Sequence, residues 1–325
     1  GHFATLLRGT VERMLPVADG GDMGGSLRNP AAFNNVFGFR PSQDLIAAEV
    51  LDPFYGQMAV EGPMGRSIAD VALLLDVQAG RDQRAPLSYD DPLIARWREQ
   101  RASLKGVRFG WLGDLGGHLA MEPGILDLCE GAARLLEEAG AVVEPAALGF
   151  DPERLWQAWV ALRSQSVSGR HHLDYDNPET RRLLNPQTLW EIENGRRQSP
   201  LDVYKAGLDR GAWHKALLAL FARYDFLLLP SAQVFPFDAE TRWPTAIAGR
   251  SMDSYHRWME VVVGPTLAGA PAVSVPAGFS AAGLPMGMQI IAAPRRDADL
   301  LAVAGLYEAI CPWLARLPAL IGGPV

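Results

Sequence analysis

The sequence predicts an α/β protein with a mixed β-sheet flanked by helices, and three stretches carry that expectation. Residues 107–112 are short and apolar, Ile125, Leu128, Ala132, Leu135 and Leu136 recur at three- and four-residue spacing up to Gly140, and residues 141–143 resume an extended pattern. Strand, helix, strand in that order is the βαβ unit of a parallel or mixed sheet. The last third of the chain alternates in the same way, whereas residues 151–222 shift toward Trp, Arg, Glu and Gln at helical spacing. We therefore expect one domain over residues 1–325, carrying a helical insertion at about 151–222.

Taken in order, residues 14–18 (MLPVA) are apolar and run straight into a glycine-dense turn, as a buried strand delivering a loop would. Ser67 and Asp70 form a capping box ahead of Ile68, Val71, Leu74 and Leu75, with Gly80 placed to end that helix. A polar stretch follows over 81–104, before the βαβ unit. Residues 224–229 read as a core strand stopped by Pro230, and 231–254 as a long irregular loop. Residues 272–275 and 286–291 read as strands, and Leu300, Val303, Ala304, Tyr307 and Ile310 as one face of a closing helix.

Composition narrows the function class. At 325 residues, 48% apolar and 21% charged, the chain is long enough for a sizeable core. No stretch approaches the roughly 18 uncharged apolar residues of a membrane-spanning helix, so no membrane partner is expected. A formal charge of -7 argues against a broad nucleic-acid face, which needs clustered cations. Two cysteines, Cys129 and Cys311, make no disulfide framework and have no metal-ligand spacing, so a cytoplasmic setting is expected. The only lysines are Lys105, Lys205 and Lys215.

The chemistry concentrates in Asp19-Gly20-Gly21-Asp22-Met23-Gly24-Gly25-Ser26-Leu27-Arg28. Glycines let backbone N–H groups converge on one point without Cβ clashes. Acyl transfer needs that: a hydroxyl attacks a carbonyl while fixed donors about 3 Å away receive the oxyanion. Ser26 is the candidate nucleophile, and Met23, Gly24 and Gly25 are the candidate oxyanion hole. Asp19, Asp22 and Arg28 are the candidate loop supports, the arginine pairing with one of the two carboxylates. Alone, a glycine turn before a serine reads more readily as a plain turn.

The neighbouring residues change that balance. The run ADGGDMGGSLRNPAAFNNVFGFRPS resembles the amidase signature, and EGPMGRSIADVALLLDVQAG and GPTLAGAPAVSVPAGFSAAGLPMGMQIIA continue the resemblance in the family's order. The resemblance implies the amidase-signature fold and hydrolysis of a carboxamide C–N bond by a Ser–cis-Ser–Lys triad through an acyl-enzyme, with no cofactor, no metal, and a small amide as substrate. Ser26 matches the nucleophile. The relay serine of the family falls on His2, residues 1–13 contain no serine, and the family's lysine would precede Gly1. The chain is accordingly expected to be N-terminally truncated relative to the family and impaired as given. A substitute base at His2 is disfavoured because a terminal residue is usually mobile.

Two alternatives accompany this reading: an inactive amidase-fold protein, and an amidotransferase A-type subunit that acts with a partner chain. A homodimer is the assembly the main reading allows. His171 and His172 with Asp174 and Asp176 suggest a metal, but adjacent residues rarely aim at one ion and a polar surface is favoured. Tyr255, His256 and Trp258 are candidates for an acyl pocket, with ordinary packing favoured.

Overall fold

An eight-stranded mixed sheet organises the fold, in the order β1-β3-β2-β9-β10-β6-β4-β5. The computed structural model describes residues 15–48, 54 and 58–316. These fall into two compact units: Leu148–Leu218, and the residues on either side of it, up to Ala147 and from Ala219 onward. The sheet belongs to the second of these. Its elements begin with β1 (Val17–Asp22), α1 (Arg28–Asn34), β2 (Phe37–Arg40), β3 (Val60–Gly65), α2 (Ile68–Gln78), β4 (Arg108–Trp111), α3 (Ile125–Glu138) and β5 (Val142–Pro145). After the helical stretch come β6 (Phe226–Pro230), a short hairpin of β7 (Ala246–Ile247) and β8 (Arg250–Ser251), α9 (Val263–Ala268), β9 (Ala272–Phe279), β10 (Pro285–Ile291) and α10 (Asp297–Ile310).

The predicted βαβ unit is present: β4 pairs parallel with β5, and also with β6, while every other pairing in the sheet is antiparallel. β6 and β9 are apolar almost throughout and buried almost throughout, as strands covered on both faces must be. α3 buries Ile125, Cys129, Ala132, Ala133 and Leu136 against β9 and β10, and its polar residues face away. The α2 cap forms as expected: the Asp70 N–H donates to Ser67 Oγ at 3.1 Å, and the Ser67 hydroxyl donates to Asp70 Oδ2 at 2.7 Å. Gly80 follows the helix at φ +137°, a conformation that L side chains rarely adopt, and its N–H donates to the Leu45 carbonyl.

Three readings need correction. The first strand starts at Val17 and runs through Asp22, so Gly20 and Gly21 belong to the strand and the turn begins only at Met23. Pairing with β3, from Val17 opposite Gly65 to Asp22 opposite Val60, extends the strand past the point where its composition reads as loop. The stretch 81–104 contains a 3-10 helix at Ile94–Glu99, and the loop at 231–254 contains the β7–β8 hairpin.

The other unit is helical. Its helices are α4 (Pro152–Arg170), α5 (His172–Asp176), α6 (Pro178–Arg181), α7 (Pro186–Arg197) and α8 (Pro200–Phe221), the last running past the unit's end. Asp151, Asn177 and Asn185 cap α4, α6 and α7 with side-chain acceptors, each followed by proline in the first turn. α4 and α7 lie so close that a Cβ on Gly195 would stand 2.3 Å from the Ser164 carbonyl oxygen. Asn194 Nδ2 then donates to Ser164 Oγ at 2.9 Å.

Candidate active site

β1 and α1 deliver the glycine turn between them. Along β1 the side chains alternate, so Ala18, Gly20 and Asp22 are buried while Asp19 is exposed. Two carboxylates three residues apart on a strand point to opposite faces. Asp22 turns inward and becomes the hub of the turn. Its Oδ1 accepts from the Gly25 N–H at 2.9 Å and its Oδ2 from the Leu27 N–H at 3.3 Å, which supplies the cap that Leu27 itself cannot.

Arg28 closes on the same carboxylate from the first turn of α1. Nε donates to Asp22 Oδ2 and Nη2 to Oδ1, both at 2.9 Å, with both side chains wholly buried. The guanidinium reaches further, donating to the Val262 carbonyl at 2.9 Å, Gln289 Oε1 at 2.8 Å and Thr266 Oγ1 at 2.8 Å. Arg40, at the end of β2, adds a second buried cation: it donates to the Asp22 carbonyl oxygen and lies 3.3 Å from Asp22 Oδ1. Burial alone would raise the Asp22 carboxyl, but the charges of Arg28 and Arg40 outweigh it and hold it well below the ordinary carboxylate range.

Ser26 therefore sits at the end of a turn whose backbone has little freedom left. It is partly exposed between buried Gly25 and buried Leu27. Gly25 adopts φ +91°, and a Cβ there would stand 2.1 Å from Asn29 Oδ1 and 2.8 Å from Val262 Cγ2, so only glycine fits. Asn29 is anchored in turn, its Nδ2 donating to the Ser231 carbonyl at 2.7 Å. Among the described residues no hydrogen bond engages Gly24 or Ser26.

Residues 12–301 match the family described as Amidase. The chain belongs to the amidase family. It is 32% identical to an acylamidase of Rhodococcus erythropolis over 309 residues, which is 94% of this chain and 63% of that protein. It is 30% identical over 326 residues to the A-type subunit of glutamyl-tRNA(Gln) amidotransferase from Symbiobacterium thermophilum, covering 94% of this chain and 65% of the relative. A bacterial aryl acylamidase of the amidase signature enzymes superposes with TM-score 0.84 at 28% identity, over 95% of this chain and 65% of that one. The fold of 6-aminohexanoate cyclic dimer hydrolase matches with TM-score 0.81 at 23% identity, over 98% of this chain and 69% of that one. The chain thus spans less than two thirds of the length of these curated relatives.

Within this amidase-family site the predicted residues separate. Ser26, Asp22, Arg28, Gly24 and Gly25 come together in one turn, and Arg28 chooses Asp22 of its two expected carboxylates. Asp19 does not support the loop: it lies on the outer face of β1, where it accepts from Gln78 Nε2 at 3.3 Å. Gly25 needs a second correction, since its N–H is directed to Asp22 and its part is to shape the turn rather than to donate to an oxyanion. His2, and with it residues 1–13 as the place of the relay serine, lies outside the described residues. Lys105, Lys205 and Lys215 are exposed.

His171 and His172 do not share an ion: His171 Nδ1 meets Asp174 Oδ2 at 3.0 Å, His172 Nδ1 meets the Gly169 carbonyl at 2.7 Å, and Asp176 pairs with Arg196 at 3.0 Å. Sequence reasoning missed Arg40, Gln289 and Gln233. The signal was there for two of them, because Arg40 and Gln289 are the lone strongly polar residues of strands that otherwise read as buried. Gln289 bridges Arg28 to the Pro230 carbonyl, at 2.8 Å. Gln233 Oε1 accepts the Val261 N–H at 3.1 Å and fixes the segment that packs on Gly25.

Proposed function

We propose that this chain is the acyl-transfer portion of an amide hydrolase, with Ser26 as the nucleophile. The observation that carries the proposal is the partly exposed Ser26 at the end of a turn locked by the buried Asp22–Arg28 pair. Ser26 Oγ attacks the carboxamide carbon, and its proton passes to a base. The tetrahedral oxyanion lies against the Gly24 and Ser26 N–H groups, with Met23 as a further donor. Collapse breaks the C–N bond, the amine leaves with a proton, and water hydrolyses the acyl-enzyme. The acylamidase and aryl acylamidase relatives support this reading.

The same reading takes residues 1–325 as one amidase-signature domain with a helical insertion, in line with the helical unit at Leu148–Leu218. A small amide is the substrate, a second copy the candidate assembly partner, and the cytoplasm the setting. No described helix is long and apolar enough to cross a membrane. The test is turnover of simple aryl and alkyl amides, expected to be slow, by the purified protein and by Ser26→Ala. Turnover abolished by the substitution supports the proposal, and turnover equal in both proteins overturns it. The 30% identity to an amidotransferase component supports a second reading, a subunit that works with a partner chain, which stable co-purification of another chain would favour.

A further inference from the structure

A stripe of partial exposure leads away from Ser26. Of residues 26–33, only Ser26, Pro30 and Phe33 are partly exposed, and the rest are buried. Pro30 and Phe33, three residues apart, lie on one face of α1, whose N-cap Leu27 directly follows Ser26. Helical side chains lean toward the amino terminus, which brings the Phe33 ring back toward the serine.

Phe33 belongs to an aromatic group. Its ring stacks on Trp258 with centroids 6.4 Å apart and planes 17° from parallel. Phe237 stands edge-on to both, 5.5 Å from Trp258 and 6.2 Å from Phe33. Trp258 lies four residues before Val262, whose methyl group packs on Gly25, so this group and the Ser26 turn share one wall. Trp258 is only 7% exposed, yet its buried indole Nε1–H has no acceptor among the described residues. A buried donor without a partner carries a desolvation cost, which an acceptor on a ligand would recover. Phe237, at 36% exposure, keeps the group open to the outside.

We infer that Phe33, Phe237 and Trp258 form a substrate subsite for an arylalkyl amide whose aryl group carries a hydrogen-bond acceptor for the Trp258 indole. Its role as a substrate site rests on the Ser26 reading, whereas the binding itself can be tested without turnover. The rings supply stacked and edge-on faces for an aromatic group, a geometry worth more than area alone.

The probe is γ-(para-methoxyphenyl)butyramide, titrated calorimetrically into the Ser26→Ala protein, beside its saturated counterpart with a cyclohexyl ring. The aromatic amide should bind about threefold to tenfold more tightly than the saturated one. Phe237→Leu, at the open rim where folding is not at risk, should erase most of that preference, and Trp258→Phe, which keeps a ring and removes the donor, should weaken binding of the para-methoxy amide about threefold to tenfold. Equal binding of the two amides, no binding of either, or binding unchanged in both variants overturns the inference. If Ser26→Ala leaves turnover intact while Trp258→Phe still weakens binding, the nucleophile assignment fails and the subsite stands.

Discussion

Arg28 grips Asp22 at both carboxylate oxygens, each at 2.9 Å, with neither side chain reached by solvent. The pair joins the last residue of β1 to the first of α1 and sets the turn that carries Ser26. Removing one member of a buried pair strands the other, at about 3–5 kcal/mol. Arg28→Ala is expected to lower stability by that amount, and Arg28→Lys by less, because an ammonium keeps the charge but not the two-pronged geometry. Urea unfolding midpoints at neutral pH check this. Since the Asp22 carboxyl is held below its ordinary range, its stabilisation is present above about pH 4 and is lost as the pH falls further toward its folded value.

Gly25→Ala should damage the site through shape. The new methyl group would meet Asn29 Oδ1 and Val262 Cγ2 and would force an L residue to φ +91°. A loss of about 2–3 kcal/mol is expected, with turnover falling further than stability explains. Gly207→Ala, exposed within α8 with nothing within 4 Å of the added carbon, should instead stabilise by about 0.5–1 kcal/mol. Thermal unfolding of the two variants side by side tests the contrast.

Gln289→Leu keeps the bulk of the β10 side chain but removes three buried hydrogen bonds: from Arg28 Nη1 at 2.8 Å, to the Pro230 carbonyl at 2.8 Å and to the Val261 carbonyl at 3.3 Å. An expected cost of about 2–4 kcal/mol follows from the desolvated groups left behind. Gln289→Glu offers an acceptor to Arg28 and should recover part of the loss. Denaturant titration of both variants against the parent protein decides it.

Asp297, the buried first residue of α10, has its carboxyl pushed up to about 6 by burial, partly offset by the hydrogen bond from the Ser42 N–H at 2.7 Å and reinforced by the Asp91 charge. The folded state therefore holds this proton more tightly than the unfolded chain. Its contribution is full below about pH 4 and is lost as pH rises to about 6, a fall on the order of 2–3 kcal/mol. Asp297→Asn, which keeps an acceptor for Ser42 but cannot titrate, should flatten the stability profile across that window. Unfolding midpoints measured from pH 4 to 7 report it, and a parent profile without this fall would refute the assignment.

Local pattern carried a good part of this architecture. The Ser67–Asp70 cap, the β4–α3–β5 unit and the turn ending in Ser26 all depend on contacts between residues near in sequence, and these were legible. Asp19 was misassigned because a glycine-rich run hides strand periodicity, and only pairing with β3 shows which carboxylate faces inward. The Gly25 amide was misassigned for a related reason: one carboxylate can claim an N–H three residues on only when the strand ends at Asp22.

By itself the sequence determined the nucleophile candidate, through its resemblance to the amidase signature, and also the glycine that ends α2 and the alternation of strands and helices, which backbone sterics and short-range periodicity dictate. Tertiary structure alone decided that Arg28 would be held by Gln289, Thr266 and Val262, residues more than 230 positions away, and that Phe33 would meet Phe237 and Trp258. Such contacts are selected by the burial of whole strands against one another, and no local rule specifies which distant partner a buried charge or ring will find.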